Sequence, residues 1–416
     1  MHSFGRISVV GLGYVGLPTA AVFAGTGIEV VGVDTDPRVV ETINRGRPHF
    51  GEPDLDALVR RVVETGKLRA AAVPEPADAV IIAVPTPLAG HGDAARPDIS
   101  CVEAAARSIA PVIGPGTLVI VESTIPVGTT EHVAALLAAL RPDLTFPQQA
   151  GEMAQVQVAH CPERVLPGRI LHEVVNNPRV IGGMTRRCAQ RAASLYRIIA
   201  RGECRVTNAR TAELAKLAEN AYRDVNIAFA NELSVICDRL RVNVWELIGM
   251  ANLHPRVNIL QPGPGVGGHC VAVDPWFIVA TNPEEARLIR TARRINDAKP
   301  GFVCAKVRER AAQLKQPVIA CLGLSYKKDV DDLRESPSVG IVRRLAEERI
   351  GELLVVEPHI AALPRELAEL GLALHDFDRA IERANLVLLL VDHMSFLQVD
   401  RDMLKDKFVI DTRGAW

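Results

Sequence analysis

The chain is poor in aromatics, which make up 4% of its 416 residues, and its charges cancel, with 48 Lys+Arg against 49 Asp+Glu. That balance excludes the basic footprint expected of a nucleic-acid binder. Uncharged runs such as Ala79–Gly92 and Ser108–Val121 are broken by Pro and Gly and fall short of the roughly 20 apolar residues that span a bilayer. Eight cysteines are scattered without one Cys-x-x-C pair, which excludes a disulfide scaffold or structural zinc site and predicts a reducing compartment. The opening residues read as a strand running into glycines rather than a secretory leader. A cytoplasmic protein with no membrane insertion and no bound metal is expected.

What is present is alternation. Short apolar runs at Ile7–Val10, Glu29–Val33, Ala79–Val84 and Leu118–Val121 are separated by helical stretches, the pattern of a parallel α/β sheet. A second series follows at Val318–Leu322, Leu353–Val356, Leu386–Val391 and Phe408–Ile410. Val30-Val31-Gly32-Val33-Asp34 is echoed by Leu354-Val355-Val356-Glu357, so the two series read as related doubly wound domains. Between them, Thr207 to about Leu240 holds neither Pro nor Gly and predicts one long helix, with Asn208 or Thr211 as its N-cap. Further helix is expected over Trp245–Met250. The fold class is α/β: two doubly wound Rossmann-like domains joined by a long central helix and a small helical domain.

Three segments carry chemistry. Gly11-Leu-Gly13-Tyr14-Val15-Gly16 follows a strand and opens a helix, with Asp34 ending the next strand. Glycines there permit a tight turn and close approach to a pyrophosphate, and a carboxylate at Asp34 suits ribose hydroxyls and repels a 2′-phosphate. NAD is therefore the expected cofactor, with Arg38 near the ribose. Gln261-Pro-Gly-Pro-Gly-Val-Gly-Gly-His269-Cys270 closes a glycine-rich loop on a cysteine. Its thiol is either a small packed hydrophobe, as expected for Cys188, Cys237, Cys304 and Cys321, or a nucleophile beside His269. On the long helix, Lys216, Asn220 and Arg223 are spaced to share one face, where they form either an ordinary solvated row or a cradle for an anionic ligand.

With these residues in view, the chain resembles the UDP-glucose/GDP-mannose 6-dehydrogenase family from end to end. The resemblance is carried by Gly11–Pro18, Glu122-Ser-Thr124-Ile-Pro-Val-Gly128, Cys161-Pro-Glu163-Arg164, Lys216–Asn220, Gly267-Gly-His-Cys270 and Asp332-Leu-Arg334-Glu-Ser-Pro337. Glu163–Gly168, Arg223–Leu233, His254–Gly265 and Ala272–Ile278 resemble the branch acting on UDP-N-acetyl-D-mannosamine. The resemblance implies an NAD-binding domain over 1–206 and a central helical domain with the cysteine loop and a homodimer contact over 207–305. A UDP-sugar-binding domain over 306–416 completes it. It also implies a four-electron oxidation of the sugar C6 alcohol to a carboxylate for surface polysaccharide synthesis, by way of a cysteine thiohemiacetal and thioester. UDP-glucose, UDP-GlcNAc or another UDP-sugar is the alternative substrate, and a catalytically silent nucleotide-sugar-binding protein is the alternative from another class.

Residue roles come from the same resemblance. Cys270 is the expected nucleophile, Lys216 and Asn220 the oxyanion donors, Glu163 and Asp274 the water-handling carboxylates, and Thr124 a neighbour of that water and the nicotinamide. Cofactor contacts are Gly11, Gly13, Tyr14, Val15, Gly16, Asp34, Arg38, Thr86, Thr124 and Arg334. Substrate contacts are Arg164, Val165, Lys216, Asn220, Arg223, His254, Arg256, Gly267, Tyr326, Lys327 and Arg413. Two positions depart from the family pattern. Lys327 is followed by Lys328 where proline is frequent, and Arg413 stands where lysine is common, which changes the geometry of that cation.

Overall fold

The computed structural model of the chain describes residues 4–90, 92–165, 168–268 and 270–416. His269 lies outside the described residues. The chain forms two compact units: one runs to Ala89 and from Arg96 to Glu219, the other takes Gly90–Ala95 and Asn220–Trp416.

The first unit is built on strands β1 (Arg6–Val10), β2 (Glu29–Val33), β3 (Leu68–Ala71), β4 (Ala79–Ile82), β5 (Leu118–Val121), β6 (Gln157–His160), β7 (Arg179–Gly183) and β8 (Cys204–Asn208). Their order across the sheet is β8-β7-β6-β5-β4-β1-β2-β3. The strands β1 to β6 are parallel, β7 runs antiparallel to β6, and β8 is parallel to β7. Helices cover both faces, so the central strands are apolar throughout; every residue of β4 and β5 is buried. The four strands anticipated in this half all form, although β4 stops at Ile82. Those not anticipated lack a clean apolar run: β3 reads Leu-Arg-Ala-Ala, and β8 is a largely exposed edge.

The long helix runs Ala209–Leu240, with Thr207 still in β8. Asn208 caps it, its Oδ1 accepting the Thr211 amide at 2.8 Å, so Thr211 sits inside the first turn and is not the cap. The helices Val244–Ala251, Asp274–Thr281 and Arg287–Ala311 follow in the second unit. Its sheet contains β9 (Val318–Leu322), β10 (Glu352–Val356), β11 (Leu386–Leu389) and β12 (Phe408–Asp411), all parallel in the order β10-β9-β11-β12. The internal echo holds in detail. Asp34, after β2, accepts the Leu12 amide at 3.0 Å; Glu357, after β10, accepts the Leu324 and Ser325 amides at 2.7 and 3.0 Å. Each acid ties down the loop that follows the first strand of its own sheet. Each sheet also has a point, β1/β4 and β9/β11, where successive connections leave in opposite directions and open a crevice at the carboxyl ends.

Candidate active site

In the first unit, the expected residues line up along the carboxyl ends of successive strands. The glycine loop follows β1. A Cβ added at Gly16 would lie 1.8 Å from the Gly11 carbonyl oxygen, and Gly11 itself has a φ of +93°. A side chain at Gly13 would meet nothing within 4 Å, so that glycine answers no internal packing need and leaves one side of the loop open. An open glycine turn at the start of helix Gly16–Gly25, with the Asp34 carboxylate beside it, fits a dinucleotide. Tyr14 stacks on Phe50 at 4.2 Å between ring centroids, and Val15 is the helix N-cap. Arg38 is held by Asp36, whose carboxylate it contacts at 2.9 Å, and its side chain is 89% exposed. After β4 and β5, the Thr86 hydroxyl donates to the Thr124 carbonyl at 2.6 Å and the Ser123 hydroxyl to the Val84 carbonyl at 2.6 Å, stitching the two turns together.

Glu163 lies after β6 and is buried. Its Oε1 accepts the Arg164 amide at 2.6 Å, and its Oε2 is 3.2 Å from Arg179. The Arg164 guanidinium donates to Glu219 on the long helix at 2.5 Å and to the Pro178 carbonyl, while Val165 packs on the apolar core. Lys216 is buried on that helix. Glu213, one turn earlier, accepts the Gly128 and Thr130 amides at 2.7 and 2.8 Å, fixing the helix to the turn that follows Thr124. His160, ending β6, donates from Nδ1 to the Val121 carbonyl at 2.7 Å; burial pushes its pKa down to about 3, so the ring is neutral.

In the second unit, the helix row and the cysteine loop meet. The Asn220 amide donates to Asp274, and its carbonyl oxygen accepts from Arg223. The Asp274 amide donates to the Cys270 carbonyl at 2.8 Å, so Cys270 opens the turn that starts helix Asp274–Thr281. Cys270 is half-buried, unlike Cys188, Cys237, Cys304 and Cys321, which are buried as expected of packing residues. The loop before it lies against Tyr326, Arg334 and Pro337. A Cβ at Gly267 would stand 2.6 Å from the Glu335 carbonyl oxygen and 2.8 Å from the Tyr326 Cβ, and the Gly268 amide donates to the Arg334 carbonyl at 3.2 Å. Arg413 reaches the same loop at Gly263 while its Nε donates to Asp392 at 2.8 Å; the Arg334 side chain is paired with Asp332. Lys327 is half-buried and Lys328 exposed. His254 and Arg256 stand exposed on the turn after helix Val244–Ala251, outside this set of bonds.

Sequence reasoning missed two tied groups. Glu122 and Arg179 form the buried neighbourhood of Glu163; a lone glutamate closing the all-apolar strand Leu118–Val121 was the available signal. The other is at the tip of the second sheet, where Asp329, His359 and His393 lie within ligand distance of one another. His393 accepts the Asp329 amide on Nδ1 at 2.9 Å and meets Glu357 through Nε2 at 3.1 Å. Both ring nitrogens are therefore engaged in holding the Tyr326–Lys327 loop.

Two sheets, each with a crevice at its carboxyl ends, one of them glycine-lined, are the architecture of a nucleotide-binding α/β protein. The models of the UDP-glucose/GDP-mannose dehydrogenase family match throughout: the NAD binding domain at residues 5–200, the central domain at 210–298 and the UDP binding domain at 320–416. The chain belongs to that family, and NAD is its cofactor. It is 60% identical over 413 residues to an NDP-N-acetyl-D-galactosaminuronic acid dehydrogenase of Ralstonia nicotianae, covering 99% of this chain and 96% of that one. It is 56% identical to the UDP-N-acetyl-D-mannosamine dehydrogenase of Escherichia coli over the full length of both. A solved UDP-D-ManNAc dehydrogenase from Pyrococcus horikoshii superposes with a TM-score of 0.88 at 40% identity, covering 99% of this chain and 96% of that one. Among the described residues, no helix is long and apolar enough to cross a membrane.

Proposed function

We propose that the protein oxidises UDP-N-acetyl-D-mannosamine at C6 to the uronate, with two NAD+ consumed per sugar. The balance is R–CH2OH + 2 NAD+ + H2O giving R–COO⁻ + 2 NADH + 3 H⁺. The observation that carries the reading is the continuous tie from Asn220 through Asp274 to the backbone of Cys270, which joins the buried amide of the helix row to the turn that carries the thiol. Bound NAD+ supplies the hydride acceptor; the chain supplies the rest. Lys216 takes the proton of the C6 alcohol. The Cys270 thiolate adds to the resulting aldehyde, because only an adduct carrying a hydrogen and an oxyanion at C6 can lose a second hydride. Lys216 and Asn220 donate to that oxyanion. Glu163, with Thr124 and Asp274 around the water, draws the proton from the water that cleaves the thioester.

The sugar assignment rests on the 56% identical mannosamine relatives and on the His254–Gly265 segment. A second reading, the corresponding galactosamine nucleotide, is favoured by the 60% identical relative. Both are 2-acetamido sugars, and a panel of UDP-ManNAc, UDP-GalNAc, UDP-GlcNAc and UDP-glucose separates them by NADH release. Turnover confined to UDP-ManNAc supports the first reading; preference for UDP-GalNAc replaces it, and preference for UDP-glucose overturns both. The product would feed a glycosyl transfer into surface polysaccharide, in the cytoplasm. We also assign a homodimer through the long helix. Tyr222, Phe229 and Ile236 recur every seventh residue and stay 66%, 53% and 44% exposed, with Leu240 one turn on.

A further inference from the structure

Behind Glu163 lies a buried cluster that none of the roles above uses. Glu122, Arg179 and Tyr196 are all buried, and the Arg179 guanidinium stands between the two carboxylates, 3.2 Å from Glu163 and 3.8 Å from Glu122. It also lies over the Tyr196 ring, 4.6 Å from its centroid, and donates to the Val174 carbonyl at 2.9 Å. The Tyr196 hydroxyl donates to Glu122 Oε1 at 2.9 Å. Among the described residues, Glu122 Oε2 and the neighbouring Thr19 hydroxyl have no hydrogen-bond partner. Cys161, the other titratable group in this pocket, has its pKa pushed up to about 12 by burial and stays a thiol. The charge count therefore does not close: two carboxylates share one guanidinium in a dry interior, where an unpaired buried charge is expensive.

We propose that Glu122 carries the proton that resolves this excess, reserving the charge of Arg179 for Glu163, and that Glu122, Arg179 and Tyr196 are positioning residues for the thioester-hydrolysis step. This rests on the reading of Glu163 as the base in that step. The geometry favours Glu122 as the proton holder. It lies deeper and is farther from the guanidinium than Glu163, and one of its oxygens is buried without a hydrogen-bond partner among the described residues. Burial and the Glu163 charge push the Glu122 pKa up to about 8, in the same direction. The arrangement differs from an ordinary structural ion pair because a neutral acid, placed beside the pair, leaves the active carboxylate with the whole cation.

Infrared difference spectra between wild type and E122Q, with E163Q alongside, read the proton directly. At pH 7 the carbonyl stretch of a protonated carboxyl group should be present in wild type, absent in E122Q, and weakened in E163Q, where Arg179 is left to face Glu122 alone. A band lost in E163Q but kept in E122Q would overturn the assignment, as would no band at all. Kinetics read the positioning. R179Q should lower kcat about tenfold or more at pH 7 with the sugar-nucleotide KM unmoved. Its kcat profile should lack the decline that ionisation of Glu122 above about pH 8 imposes on wild type, because no cation remains to be drawn away. A fall in kcat that is equal at every pH would mean a structural role only, and would overturn the positioning claim. In wild type, ionisation of Glu122 above about pH 8 should draw Arg179 away and lower kcat; E122Q should lose that alkaline decline, which decides the matter if R179Q does not fold. E163Q tests the underlying reading separately. It should release a burst of two NADH per site and then stall, whereas steady turnover would remove Glu163 from hydrolysis and leave the infrared result on the proton intact.

Discussion

Asn231 offers the sharpest energetic test of how the cysteine loop is held. Its side chain is fully buried on the long helix. Nδ2 donates to Asn296 Oδ1 at 2.9 Å, and Oδ1 accepts the Gly263 amide at 2.9 Å, so it links helix Arg287–Ala311 to the loop that leads to Cys270. Asn231→Ala removes two hydrogen bonds worth about 1 kcal/mol each and leaves two buried polar groups without a partner, at about 1–3 kcal/mol apiece. Water entering the vacated space offsets part of this, so the expected loss is about 2–4 kcal/mol. All three tryptophans, Trp245, Trp276 and Trp416, belong to the second unit, so urea unfolding followed by tryptophan fluorescence reports on that unit. The control is Asn226→Ala on the same helix, whose side chain donates to the Tyr222 carbonyl at 2.7 Å near solvent and should cost about 0.5 kcal/mol or less. Amide exchange at Gly263 should accelerate in Asn231→Ala and not in the control. Equal stability of the two variants, with Gly263 exchange unchanged, would refute the claim that Asn231 anchors the loop.

The other expectations are quickly stated. Gly16→Ala forces the Gly11–Gly16 turn apart by more than an ångström and should weaken NAD+ binding by roughly a hundredfold in titration calorimetry, with the UDP-sugar site intact. Glu122→Gln should gain stability with rising pH: the buried carboxyl has a folded-state pKa above its ordinary 4.5, so its contribution is complete below pH 4.5 and is lost as the pH climbs through about 8. Melting curves of the two proteins should therefore coincide at low pH, diverge progressively from about pH 4.5 to about pH 8 in favour of the variant, and keep a constant separation above that; the opposite trend would refute the assignment of the proton. Phe229→Asp should convert the proposed dimer to monomer in light scattering, and a mass equal to that of wild type would refute a contact through this row.

Much of this was legible because parallel sheets buried on both faces write themselves as unbroken apolar runs. Ala79–Ile82 and Leu118–Val121 could not be mistaken, and the echo of Val30–Asp34 in Leu354–Glu357 carried through to the same amide-accepting role. Edge and late strands were not legible: Leu68–Ala71 mixes an arginine into its run, and Cys204–Asn208 is mostly exposed. The roles of the three helix asparagines separate only in space. Asn220 meets Asp274, Asn231 holds the loop, and Asn226 bonds back one turn along its own helix. Glu122 and Arg179 are 57 positions apart in the chain, and only the adjacency of β5, β6 and β7 brings them to Glu163.

The central claim is that Cys270 becomes covalently bound to the sugar C6. The most direct measurement is mass spectrometry of acid-quenched E163Q after mixing with NAD+ and UDP-ManNAc, with Cys270→Ser in the same background beside it. The account predicts a uronyl adduct on the peptide containing Cys270, formed with two NADH per site and absent from the serine variant. An unmodified Cys270 peptide throughout, with carboxylate product still accumulating when Cys270 is serine, would contradict it.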